Sequence, residues 1–156
     1  QTDTVGILYE KLMKIGAKLA LKTVNLIRQV YENANSTYVL QKKAQMGEVT
    51  SEIKHAPKIF KETCAIHWDQ DNEQVFNLIR GLSPYPGAWI NSPFGELKIY
   101  ASKIVSEPII GESTDLIFID NKKLYLKCKN SFLEIIELQP QGKQRMLAIS
   151  YLNGLR

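Results

Sequence analysis

Two prolines one residue apart set the strongest constraint on this chain. They lie in Ile79–Trp89, which reads Ile-Arg-Gly-Leu-Ser-Pro-Tyr-Pro-Gly-Ala-Trp. Pro84 and Pro86 each fix φ, remove a backbone donor and push the preceding residue out of helical conformation, so no helix can cross them. Gly87 then permits a turn, and Trp89 opens a run with strand character. Upstream, Asp69 and Asp71 both suit an N-cap, and Asp71 and Gln74 have capping-box spacing. Val75, Leu78, Ile79 and Leu82 fall on one face of a helix that reaches about Leu82. Downstream the pattern changes to short strands with turns. Ala88–Asn91 and Glu96–Val105 flank a turn at 92–95, Leu116–Asp120 and Lys123–Lys127 flank one at 120–122, and Phe132–Leu138 is a further strand. A last short helix, Ala148–Asn153, ends at Gly154. Strands this short and this closely spaced predict a small closed antiparallel barrel behind a helix and a corner.

The N-terminal region follows another rule. Asp3 or Thr4 can cap a helix in which Val5, Leu8, Leu12 and Ile15 recur at helical spacing, with Gly16 as its stop. A second helix, from about Ala17 to Tyr31, is apolar on two sides: Ala17, Leu21, Val24 and Tyr31 form one row, and Leu19, Leu26 and Val30 another. Such a helix needs cover on two sides, as in a larger layered domain; a helical hairpin packing on the barrel or on a second copy is the simpler alternative. Residues 32–53 show no sustained period and read as linker.

Composition narrows the function. The 156 residues are 44% hydrophobic and 23% charged, so the chain can bury a core. The net charge of +4 permits an anionic partner without demanding one. Cys64 and Cys128 have no metal or redox spacing and read as packing residues in a reducing, cytoplasmic setting. No run is long enough to span a membrane. His55 and His67 lack catalytic partners, and there is no phosphate loop, nucleophile elbow or metal cluster. Trp68 and Trp89 read as core anchors, and Lys122, Lys123, Lys127 and Lys129 as a solvated face.

Three motifs carry a resemblance. The first is the Ile79–Trp89 corner. The second is Ala56–Trp68, close to Ala-x-Lys-Ile-x-Lys-Glu-x-x-x-Ile-Asp-Trp, with His67 in place of the usual Asp. The third is Leu138–Met146, close to Leu-Gln-x-x-Gly-Lys-(Lys/Arg)-x-Met. In this order and spacing the chain resembles the C-terminal part of the methionyl-tRNA formyltransferase family.

The resemblance implies an α+β fold: a small OB-like antiparallel β-barrel preceded by helices that close a truncated Rossmann-like domain. Residues 1–31 would be those helices, 32–68 a linker, and 69–156 a tRNA-binding barrel. It implies initiator methionyl-tRNA as partner of a monomeric parent enzyme, and 10-formyltetrahydrofolate as its cosubstrate, with no cofactor and no catalytic residue in this part. Lys58 and Lys61 on the linker, and Lys143 and Arg145 on a rim loop after the Phe132–Leu138 strand, suit phosphate contacts. Arg80, just before the corner, serves RNA, an acidic side chain or the carbonyls of its own helix end. The family's Asn-x-His and folate-site segment do not occur here, so the 156-residue chain by itself is expected to be inactive. A stand-alone RNA-binding barrel is one alternative. A relative acting on a nucleotide sugar or on formyltetrahydrofolate is the other.

Overall fold

A computed structural model describes residues 2–32, 55–93, 95–105 and 115–155. Most of the predicted linker, with its short Tyr38-Val39-Leu40 alternation, lies outside the described residues, as does Phe94 of the first turn. The chain divides into two units, one of Gln1–Leu8 with Ile59–Arg156, the other of Tyr9–Lys58.

The N-terminal region forms one helix rather than two. Helix α1 runs without interruption over Val5–Glu32. The backbone N–H of Ile7 donates to Thr4 Oγ1 at 3.4 Å, so Thr4 is the capping residue. Gly16 costs about 1 kcal/mol relative to Ala in a helix interior. Here it is followed by Ala17, Lys18, Leu19, Ala20 and Leu21, all good helix formers, and by no proline, so the helix runs on through it. None of the α1 residues is buried.

The first unit holds the core. Helix α2 spans Asn72–Leu82 and begins with the expected capping box, in which the Asp71 N–H donates to Gln74 Oε1 at 3.1 Å. Its Val75, Ile79 and Leu82 are buried. Each such side chain contributes about 1.5–3 kcal/mol when fully removed from water. Six strands follow: β1 (Ala88–Ser92), β2 (Gly95–Ile104), β3 (Ile117–Asp120), β4 (Lys123–Lys127), β5 (Phe132–Pro140) and β6 (Met146–Leu147). All pair antiparallel in the order β1-β2-β5-β4-β3, with β6 adding to β5 beyond β4. The result is a curled half-barrel. It is not closed: among the described residues no ladder joins β1 to β3. Helix α3 (Ala148–Asn153) packs on β4 and β5, and α2 packs on β2.

Alternation along the strands decides which side chains enter the core. Ala88, Ile90, Leu97, Ile99, Leu124, Leu126, Leu133, Ile135 and Leu138 line the concave side with α2, and Ala148 and Tyr151 join them from α3. Cys64 and Cys128 are buried, as expected of packing residues. The register slips where β2 meets β5. Ile99 pairs with Leu138 but Ala101 with Glu137, and Ser102 then pairs with Ile135. Tyr100 and Ile136 are thus extra residues, one on each strand, and such bulges bend the sheet and turn side chains to new directions.

The stretch before α2 is not an open linker throughout. Ala65 forms a parallel bridge with Trp89, and the Ile66 N–H donates to the Trp89 carbonyl at 2.8 Å. Ile66 and Cys64 are part of the core. Residues 61–66 therefore cover the outer edge of β1, which would otherwise present unpaired backbone groups.

Candidate nucleic-acid interface

The convex side of β1, β2 and β5 carries what the strand alternation turns away from the core. Trp89, Lys98 and Gln139 lie in one cross-strand row, since Trp89 pairs with Lys98 and Lys98 with Gln139. Two cations sit on aromatic rings of this face, Lys61 on Trp89 of β1 and Arg145 on Tyr100 of β2.

At the β1 end, Lys61 Nζ lies 5.0 Å from the centre of the Trp89 ring and 2.8 Å from Glu96 Oε2. The Trp89 indole N–H donates to the Lys61 carbonyl at 2.8 Å, which fixes the backbone that carries the ammonium. Lys98 Nζ donates to the Pro86 carbonyl at 3.3 Å. Trp89 thus fulfils the anchoring expectation. Trp68 does not: its side chain is 63% exposed, because Ile66 rather than Trp68 takes the place in the core.

At the β5 end, the Arg145 guanidinium lies 4.4 Å from the centre of the Tyr100 ring. It donates from Nε and Nη2 to the two oxygens of Glu137, each at 2.6 Å. That hydrogen-bonded pair raises the pKa of Arg145. Burial pushes the Tyr100 phenol up, and the neighbouring guanidinium partly offsets the rise. The Tyr100 hydroxyl donates to Gln139 Oε1 at 2.8 Å, and Gln139 Nε2 donates to the Lys143 carbonyl at 2.8 Å. The rim loop is closed by the Lys143 N–H on the Pro140 carbonyl at 3.0 Å, with Gly142 at positive φ. An unbroken chain of contacts thus joins Glu137, Arg145, Tyr100, Gln139 and the loop that presents Lys143.

Half-exposed ion pairs of this kind contribute about 1 kcal/mol or less to stability. A cation over an exposed ring adds about 0.5–1 kcal/mol. Their effect is chiefly geometric: two long cationic side chains are held in place. Glutamate occupies two of the five N–H donors of Arg145, and an ammonium has three donors, so both groups can still meet an anion.

The structure therefore brings Lys61 and Arg145 onto one face and ties the loop that carries Lys143 to it through the Lys143 carbonyl. Arg80 is placed elsewhere, its Nε on Asn77 Oδ1 at 2.8 Å and its Nη1 on the Asp3 carbonyl at 3.1 Å, so its partners are neither an acidic side chain nor the carbonyls that end its own helix. Lys58 is exposed and belongs to the second unit. The sequence reading missed Lys98, Tyr100, Glu137 and Gln139. Their signal was the alternation itself: polar or aromatic residues between the core positions Leu97, Ile99 and Leu138. Among the described residues no group of His, Cys, Asp or Glu could hold a metal, and no helix is long and apolar enough to cross a membrane.

The domain is thus a curled antiparallel sheet covered by helices on its core side, with two ring-mounted cations on the other. The chain belongs to the formyl transferase C-terminal domain family, which matches residues 58–156. Methionyl-tRNA formyltransferase of Bacteroides thetaiotaomicron is 36% identical over 99% of this chain and 48% of its own length. The enzyme of the same name from Phocaeicola vulgatus is 38% identical over 99% of this chain and 48% of its own length. The chain spans about half the length of the curated relatives it matches. Among solved structures, a variant of HypX from Aquifex aeolicus shares the fold at 14% identity and a TM-score of 0.52, over 64% of this chain and 18% of that one. HypX in complex with tetrahydrofolic acid gives 0.51, over 62% and 18%.

Proposed function

We propose that this chain is the C-terminal portion of a methionyl-tRNA formyltransferase, and that its half-barrel grips the tRNA. The intact enzyme moves a formyl group from 10-formyltetrahydrofolate to the amino group of methionine on initiator tRNA. The carrying observation is similarity to enzymes of that name along 99% of the chain, inside the family's domain and beyond it. On this reading α1 belongs to the Rossmann-like catalytic domain, which explains a 28-residue helix with no buried residue. Residues 32–68 are the linker, its last residues docked on β1, and 69–156 the OB-like half-barrel. The chemistry and the formyl donor belong with the family's Asn-x-His, which is not in this sequence, so no step is assigned to residues of this chain.

The part played here is electrostatic. Lys61, Lys143 and Arg145 meet tRNA phosphates, joined by Lys58 from the linker, while Arg80 contributes through its hold on the N-terminal segment. Ring-mounted cations lose less freedom on binding than solvated ones.

The test is binding of the 156-residue chain to initiator and elongator tRNA across a salt series. Each phosphate neutralised is expected to add roughly 0.7–0.9 log units of affinity lost per log unit of salt. Replacing Lys58, Lys61, Lys143 and Arg145 by Ala flattens that slope. Salt-insensitive binding, or none at low salt, counts against the RNA grip. Folate-dependent formylation by this chain alone would overturn the assignment of the chemistry.

A further inference from the structure

Beside the row of cations lies an open cleft of about 380 Å³, between the segment that begins at Ile59 and the Tyr85–Gly87 corner. Its walls include Phe60, Lys61, Tyr85, Trp89 and Lys98. This is an unusual set for a solvated surface. Tyr85 is 84% exposed, so its ring stands in water beside Trp89. An exposed ring gains by being covered, and a flat partner covers it best. Lys61 and Lys98 place two ammonium groups at the same opening, each held by a single acceptor on the protein.

The walls are also rigid. Pro84 and Pro86 flank Tyr85 and restrict its backbone, so little is lost when the ring is covered. Gly87 follows at φ +87°, where a Cβ would come within 3.1 Å of the Tyr100 ring, so the corner sits directly on the Arg145 platform. On the opposite wall, Trp89 and the Lys61 backbone are tied together by the indole hydrogen bond.

We propose that this cleft is a subsite for one unpaired nucleotide, its base covering Tyr85 beside Trp89 and its phosphate at Lys61 and Lys98. The inference rests on the tRNA reading and deepens it, because it adds a stacking contact to a grip otherwise made of charge. Aromatic faces next to a cationic groove are what single-stranded nucleic acid requires, and the volume falls within the usual range for a small-molecule site. The site accepts any base with a π-face, so it contributes affinity for a looped-out or terminal nucleotide and not a sequence preference.

The experiment compares the 156-residue chain with its Tyr85→Ala and Tyr85→Phe variants for binding to initiator tRNA across the same salt series. A stacking subsite predicts a roughly tenfold or greater loss in Tyr85→Ala with an unchanged salt slope, since no charge is removed. Tyr85→Phe restores binding. In a Trp68→Phe background Trp89 is the sole tryptophan, and adenosine monophosphate is expected to quench its fluorescence. This second readout does not depend on the tRNA. If the parent chain binds tRNA with a steep salt slope and Tyr85→Ala binds equally well, the subsite is wrong and the charge grip stands. If the parent chain shows no salt-dependent binding, the RNA reading fails and the subsite with it.

Discussion

The convex side of the sheet carries positive charge in two regions that are built differently. Over β1, β2 and β5, Lys61 lies on Trp89 and Arg145 on Tyr100, and a glutamate holds each cation in addition. Over β3 and β4 the rings keep to themselves. Phe118 stacks on Tyr125 at 5.5 Å and meets Phe132 edge-on at 5.4 Å. Lys122 and Lys123 stand at the hairpin turn, where Lys123 pairs with Glu134 at 3.2 Å and Lys122 reaches into solvent. The same ingredients, lysines, aromatics and glutamates, thus give a preorganised cationic face in one place and a hydrophobic patch with a soluble rim in the other. What separates them is where the cations come from: Lys61 and Arg145 reach Trp89 and Tyr100 from segments outside β1 and β2, whereas Lys122 and Lys123 stand at the β3–β4 turn itself.

The largest expected effect strikes the foundation of the first region. Gly87→Ala puts a Cβ within 3.1 Å of the Tyr100 ring at a backbone angle that L-residues avoid. The backbone contributes about 1–2 kcal/mol of destabilisation, and overpacking about 1–3 kcal/mol more. Urea unfolding measures the sum. A variant as stable as the parent would mean that the corner and the Tyr100 platform are independent, and the contrast between the regions would lose its structural basis.

Alkaline unfolding separates the two regions next. Burial pushes the Cys128 thiol, at the end of β4, up to about 11 from an ordinary 9.0, with nearby Asp71 adding to the rise. Burial also raises Tyr100 in the first region. Both groups are neutral when protonated, so each favours the folded state below its ordinary value and loses that contribution as pH rises through its folded value. Stability is therefore expected to fall from about pH 9 upward, first through Cys128, by at most about 1.4 kcal/mol per pH unit. Cys128→Ala flattens the decline between pH 9 and 11. Tyr100→Phe flattens only the part above pH 10. A decline that neither variant alters would place the alkaline sensitivity elsewhere.

A smaller effect compares the cations directly. Lys143→Ala with Arg145→Ala is expected to lower the salt slope of tRNA binding by about 1.4–1.8, from two phosphates. Lys122→Ala with Lys123→Ala should lower it by less than half as much, because solvated ammonium groups engage phosphate less consistently. Equal slopes for the two double variants would show that net charge, and not mounting on rings, sets the grip.

How much of this was legible beforehand depended on whether the signal was local. Val75, Ile79 and Leu82 announced α2 by spacing, Asp71 and Gln74 announced its start, and alternation located five strands to within one or two residues. The continuity of α1 through Gly16 was not legible, because a glycine reads as a stop unless the helix formers after it are weighed against it. The cover that residues 61–66 give to β1 was hidden too, since a parallel bridge from an aperiodic segment has no period to find. The face itself was half visible. Lys61, Lys143 and Arg145 could be singled out as charges in motifs, and alternation turns Lys98, Tyr100 and Gln139 outward, but which of these residues meet depended on cross-strand register. That register passes through two extra residues, Tyr100 and Ile136, and nothing in either residue type marks a bulge.

The hairpin supplies the smallest effect and the most direct check that the second region is there for folding. Asn121 and Lys122 form a two-residue turn with φ of +46° and +61°, the left-handed pair that matches the twist of antiparallel strands. Asn tolerates this conformation, whereas Lys holds it against its own Cβ. Lys122→Gly removes that cost and is expected to stabilise the chain by about 0.5–1 kcal/mol, net of the extra freedom of glycine in the unfolded state. The same substitution removes a cation. If it raises the thermal midpoint and leaves tRNA affinity within a factor of two, Lys122 is a turn residue that happens to be charged. If affinity falls as far as it does on loss of Arg145, the hairpin belongs to the grip, and the two regions form one interface.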